Sequence, residues 1–205
     1  MSYIDTVSPA DADGAVLEMY ERQQNHWGYV PNYAKSFSHR PEVMDRWGRL
    51  LAEIRRPLDD RSFELATFAA AVELRHTSCS IAHGKALTPF FTPAQIVAIA
   101  ANDDLGFLDD KEREIVRFAR QVARDAASVT AADVQRLKDC GLDDGAIFDV
   151  AAAAAGRAFF TKLLDAVGSM PDAAFAGIDA EFRDPLIVGR PISSDPDEVM
   201  PTSTY

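Results

Sequence analysis

A chain of 205 residues, 47% hydrophobic and 26% charged, has the balance of an ordinary globular domain with enough apolar side chains for one core. Its 21 basic against 32 acidic residues leave a net charge of −11, and so negative a surface repels phosphate backbones and anionic lipid heads. Neither nucleic acid nor a membrane surface is expected as a partner. The opening MSYIDTVSPADADG has no basic segment followed by an apolar one, and no window approaches the roughly 18 uninterrupted apolar residues of a spanning helix, so a cytoplasmic protein is expected. Cys79 and Cys140 stand 61 positions apart and make neither a disulfide framework nor a CxxC knuckle.

Helix punctuation is dense along the chain, with almost no strand-like alternation between the marks. Ser8-Pro9 predicts a first helix, carried on by Val16, Leu17 and Tyr20 and broken at Trp27-Gly28-Tyr29-Val30-Pro31. Pro31 and Pro41 restart short helices, the second with Val43, Trp47, Leu50, Leu51 and Ile54 on one face. Asp59 or Asp60 caps a helix whose stripe of Phe63, Ala66, Thr67, Ala70 and Leu74 suits close packing. Thr92-Pro93-Ala94-Gln95 reads as a capping box. Asp109-Asp110 opens an amphipathic helix through Ile115, Phe118 and Val122; Thr130 opens the next, which stops at Cys140-Gly141. Asp143 or Asp144 then starts an Ala-rich helix that ends at Gly168. From Asp184 onward four prolines and few apolar residues predict an extended tail, disordered at its end or laid on a neighbouring subunit. The pattern as a whole is all-α.

The informative window runs from Glu64 to Gly84. Cys79 and His83 are four apart, so on a shared helix they present a thiol and a base on one face. Thr77 or Ser78 as cap would place Cys79 in the first turn, where the helix dipole favours a thiolate. Glu64 lies fifteen residues before Cys79, about 22 Å along one straight helix, so only a chain reversal near His76-Thr77-Ser78 would let it orient His83. His76, Cys79 and His83 with Glu64 are zinc-compatible ligand types, but three of them spread over about 10 Å of helix, so no metal site is expected. Nothing resembles a phosphate-cradling glycine loop, and no cofactor is expected.

The pattern of Glu64, Cys79 and His83, with His83-Gly84-Lys85-Ala86-Leu87 following, resembles the core of the carboxymuconolactone decarboxylase and alkyl hydroperoxidase D superfamily. Gly28-Tyr29-Val30-Pro31-Asn32 upstream, and Gly141 to Val150 with Phe159-Phe160 downstream, extend the likeness over roughly residues 15 to 190. The resemblance implies a hydroperoxidase D-like helical bundle that assembles as a homo-oligomer (dimer, trimer or hexamer). Residues 1–57 would pack as an N-terminal helical segment on a core of residues 58–183, with 184–205 as the tail. It also implies that Glu64, Cys79 and His83 form a proton relay activating a peroxidatic cysteine. In that branch a second cysteine stands three residues before the first; here the position is His76, making the chain a single-cysteine HxxCxxxH member.

Each residue alone has a plainer role. Cys79 suits a buried small apolar site, His83 a satisfied core histidine, Glu64 the first turn of a helix, and Cys140 beside Gly141 a structural position. Trp27-Gly28-Tyr29, Phe90-Phe91 and Phe159-Phe160 read as core or subunit interface. The combination points to an enzyme: a thiol-dependent peroxidase using Cys79, His83, Glu64 and His76, acting on a hydroperoxide with an external thiol as reductant. The alternatives are decarboxylase-like chemistry on a small carboxylated lactone or carbonyl acid, with His76 and His83 as acid and base, and a non-catalytic oligomeric binding protein that keeps the fold.

Overall fold

A computed structural model describes residues 2–195 and 198. Among them it holds ten α-helices and no strand: α1 (Gly14–Trp27), α2 (Asn32–Ser36), α3 (Pro41–Arg55), α4 (Asp60–Glu73), α5 (Thr77–Ala86), α6 (Pro93–Ala101), α7 (Asp110–Asp125), α8 (Ala131–Asp139), α9 (Asp144–Ala166) and α10 (Ala180–Arg183). None is long and apolar enough to cross a membrane.

Local chemistry sets most of the starts. Asp59, Thr92, Asp109, Thr130 and Asp143 each accept a backbone N–H of the first turn that would otherwise lack a partner. Thr92, Asp109 and Thr130 do so in reciprocal boxes with Gln95, Glu112 and Asp133. The first helix departs from expectation. Ser8 Oγ and Asp11 bind one another in a local turn, so Ser8-Pro9 closes that turn and the helix waits for Asp13-Gly14.

At the centre is α4, in which every residue from Ser62 to Val72 is buried. A helix apolar on all sides needs neighbours on all sides, and α5, α7 and α9 supply them. Its alanines let those neighbours approach closely, while α7 turns Ile115, Val116, Phe118 and Ala119 inward and keeps Arg113 and Arg124 outside. Glu73 at the end of α4 takes Arg124 at 2.6 Å and Arg120 at 3.4 Å, and Arg120 also donates to the Ile99 carbonyl that ends α6. A second apolar cluster joins Met19, Tyr20, Phe37 and Trp47 to Phe160 and Leu164 of α9. Trp47 fits against Gly156, where a Cβ would lie 3.1 Å from its ring.

The tail also differs from expectation, because residues 184–193 lie on their own domain. Asp184–Leu186 form a single turn, and Leu186 is fully buried in the main core. Arg75 Nε then donates to the Val188 carbonyl, Gly189 N–H donates to Thr77 Oγ1 at 3.0 Å, and Ser193 N–H donates to the Pro171 carbonyl at 2.8 Å. Gly189 passes so close that a Cβ would sit 1.8 Å from the Arg75 oxygen. Sequence composition missed this because one leucine and a few backbone bonds suffice to hold a segment that has no periodicity. The end of the tail, residues 196, 197 and 199–205, lies outside the described residues.

Candidate active site

The reversal between α4 and α5 decides the site. His76 N–H donates to the Ala71 carbonyl and Arg75 N–H to that of Val72, with Arg75 at φ +56. This is the glycine-type helix stop built on an arginine, at a backbone cost of about 1 kcal/mol. The cap of α5 is neither Thr77 nor Ser78, as the sequence suggested, but His76, whose Nδ1 accepts the Cys79 N–H at 3.2 Å. Histidine is no common cap, yet its Nδ1 lone pair can reach where a serine oxygen would. Cys79 therefore sits in the first turn, at the positive end of the helix dipole.

Cys79 is 5% exposed. Burial favours its thiol, but His76 and the Arg157 guanidinium outweigh burial and bring the group down to about 7. Arg157 Nη1 donates to Cys79 Sγ at 3.5 Å. Burial likewise opposes charge on His76, while the Cys79 thiolate and Asp165 outweigh it and hold the imidazole above its ordinary value. Neutral His76 caps α5 through Nδ1; the charged ring cannot accept there and stands instead as a cation beside the sulfur.

Glu64 and His83 meet. His83 Nδ1 donates to Glu64 Oε2 at 2.6 Å, with the carboxylate almost wholly buried. That bond fixes the tautomer and leaves Nε2 with a free lone pair. Burial, then the nearby Arg157, push His83 below its ordinary value despite the carboxylate, so the ring is neutral and basic at pH 7. Arg55 stands 3.9 Å from the other oxygen of Glu64.

Cys79, His83, Glu64, Arg55 and Arg157 share the wall of one cavity of about 440 Å³. His76 is buried behind Cys79. Much of the remaining wall is aromatic: Trp27, Tyr33, Trp47, Phe160 and Phe175. Trp27, Tyr29 and Phe160, read from the sequence as core or interface, thus face the cavity as well. Asp172 lines it too; burial pushes its carboxyl up to about 6 although the Asn32 N–H donates to it at 2.6 Å. Sequence reasoning missed Arg157, Arg55 and Asp172. The signal for Arg157 was there, a cation inside the otherwise apolar run from Ala151 to Phe160. Cys140 lies at the end of α8, its thiol raised by burial and by Glu114, Asp110 and Asp139, and it forms no disulfide with Cys79. Among the described residues, no three His, Cys, Asp or Glu side chains converge as a metal site.

A central helix wrapped by its neighbours, with a cysteine and a carboxylate-held histidine on the helix folded back against it, defines an all-α domain with the alkylhydroperoxidase AhpD-core fold. That is the fold of the superfamily the motif resembles. The chain is similar to an uncharacterized peroxidase-related AhpD-core protein from Ralstonia eutropha JMP134 (TM-score 0.72, 21% identity, covering 88% of this chain and 94% of that one). It is similar to another peroxidase-related protein, from Silicibacter sp. TM1040 (TM-score 0.69, 19% identity, 89% and 94% covered). A third similar structure is a cysteine-to-alanine variant of the debrominase Bmp8 in complex with 2,3,4-tribromopyrrole (TM-score 0.68, 15% identity, 88% and 94% covered). No protein-family model and no curated protein matches the chain. At these identities the likeness is one of fold.

Proposed function

We propose that this chain is a thiol-dependent oxidoreductase of the alkyl hydroperoxidase kind, with Cys79 as nucleophile, His83 as proton carrier and Glu64 as its orienter. The observation that carries this reading is the 2.6 Å Glu64–His83 bond on the wall of the cavity that also holds Cys79. His83 Nε2 takes the thiol proton, and the thiolate attacks the terminal oxygen of a hydroperoxide. The S–O bond forms as the O–O bond breaks, the departing alkoxide takes the proton back from His83, and Cys79 becomes a sulfenic acid. Two equivalents of an external thiol then restore Cys79, with release of a disulfide and water. His76 and Arg157 keep the sulfur ionised near neutral pH.

The test exposes reduced protein briefly to near-stoichiometric cumene hydroperoxide with a sulfenic-acid trap and reads intact mass. Fast labelling at Cys79 that slows in both His83→Ala and Glu64→Gln supports the reading; labelling no faster than a free thiol refutes it. The aromatic lining also favours a second reading, suggested by the name and ligand of the Bmp8 neighbour, in which an S–Br bond forms at Cys79 as the C–Br bond of a halogenated aromatic breaks, the ring carbon takes a proton, and two equivalents of external thiol then restore Cys79 with release of bromide, a proton and a disulfide. Release of the debrominated ring on incubation with a bromopyrrole and excess thiol distinguishes the two.

A further inference from the structure

We infer that the cavity takes an aromatic molecule bearing an anionic group, and that the Arg157 guanidinium is the receptor for that group. The inference rests on reading this cavity as the reaction site, and names the class of substrate it admits.

Arg157 is 4% exposed, yet among the described residues no carboxylate stands within ion-pair distance of it. Among the described residues one of its five N–H donors is engaged, Nη1 on Cys79 Sγ at 3.5 Å, and Nε is buried with no partner. A buried cation in this state carries a desolvation penalty of several kcal/mol that nothing among the described residues fully offsets. The carboxyls that line the cavity are engaged elsewhere: Glu64 by His83 and Arg55, Asp172 by the Asn32 N–H. The thiolate answers the charge in one protonation state, with a single long bond, and loses that charge once the sulfur is oxidised to the acid. A carboxylate or similar anion would take the planar fork two donors at a time.

The body of the ligand follows from the rest of the wall. Trp27, Tyr33, Trp47 and Phe175 line it with aromatic rings, and the guanidinium itself lies over the Phe160 ring at 5.6 Å. Aromatic rings pack there edge-on or offset, while a flexible aliphatic chain of the same size would lose more conformational freedom on entry. The chain's net charge of −11 works against anions at long range, so an anion bound here is recognised locally, by Arg157. The 3.5 Å between Nη1 and Sγ adds a constraint: the atom that reacts with Cys79 lies within two or three bonds of the anionic group.

Trp27 and Trp47 are the two tryptophans of the chain, and both line the cavity, so their fluorescence reports its occupancy. The experiment titrates full-length Cys79→Ser protein, which leaves Arg157 without the thiolate, with benzoate and with its neutral counterpart benzyl alcohol. Benzoate is expected to bind at least tenfold more tightly, with part of that preference kept in an added Arg157→Lys and none in Arg157→Met. Equal affinity for acid and alcohol, no response to either at millimolar concentration, or a preference that survives Arg157→Met overturns the inference. If Arg157→Met fails to fold by circular dichroism, the acid-against-alcohol comparison and the lysine variant still decide it. Because the serine variant forms no sulfenic acid, this outcome is independent of whether Cys79 reduces peroxides.

Discussion

Removing either cation beside Cys79 should move the pH at which the sulfur ionises, and the size of that move follows from the site. With its pKa at about 7, about half of Cys79 is thiolate at pH 7, against about 3% for an ordinary thiol of pKa about 8.5. That is about 15 times more thiolate, but nucleophilicity falls with pKa by a Brønsted coefficient of about 0.4–0.5, which removes about a factor of five. The net rate advantage at pH 7 is about threefold, too small to diagnose anything. The midpoint of the pH profile is the better readout. Burial alone would push the thiol above its ordinary value, so His76 and Arg157 together lower it by more than the net difference. Arg157→Met and His76→Ala should each raise the midpoint to about 8 or higher, and the double variant should titrate above a free cysteine, at more than about 8.5. Iodoacetamide alkylation rates read by intact mass, from about pH 5 to 10, give all four midpoints. A wild-type midpoint near 8.5, or single variants that titrate with the wild type, would refute the reasoning.

His83→Ala should slow sulfenic-acid formation at pH 7 by about a hundredfold and Glu64→Gln by about tenfold or more, in stopped-flow trapping with an organic hydroperoxide; unchanged rates would remove the relay. Asp172, raised to about 6 when folded against about 3.9 unfolded, withdraws up to about 3 kcal/mol of stability as pH rises from about 4 to about 6. Asp172→Asn keeps an oxygen for the Asn32 N–H and does not ionise, so it should gain on wild type by that amount between pH 4 and 7 in urea unfolding; a constant difference would contradict this. Gly84→Ala puts a Cβ 2.9 Å from Leu186 Cδ1 and 3.3 Å from Phe68 and Phe182, and should lower stability by about 1–2 kcal/mol despite alanine's better helix propensity. Gly48→Ala, with nothing within 4 Å, should raise it by about 0.5–1 kcal/mol; thermal melts of the pair compare the two.

What the sequence shows and what it hides divide along physical lines. Helix starts at Asp59, Thr92, Asp109, Thr130 and Asp143 are legible because a cap bonds three residues ahead, within the reach of a local pattern. Ser8-Pro9 misleads for the same reason: the local bond it forms closes a turn instead. The meeting of Glu64 and His83 depends on Arg75 entering the left-handed region, which no arginine announces. Arg157 stands 78 residues from the sulfur it touches; the apolar run around it marks it as a buried cation, but which group it meets is set by how α9 packs on its neighbours. His76 was visible as a residue type at a suggestive spacing, but its service as a cap follows from a ring orientation that spacing does not give.

The seating of Gly189 on Thr77 makes chain order matter to chemistry. Thr77 opens the helix that carries Cys79, and its hydroxyl receives the Gly189 N–H across 112 residues. Arg75, which sets the reversal, is held by Val188 across 113. A nascent chain ending at residue 183 has every residue of the candidate site but neither of these bonds, and its core lacks Leu186. Contacts so distant in sequence form late. The Cys79 thiol therefore gains these two supports only once residues 188 and 189 have been made, and a cut before Val188 reaches the cysteine without touching it.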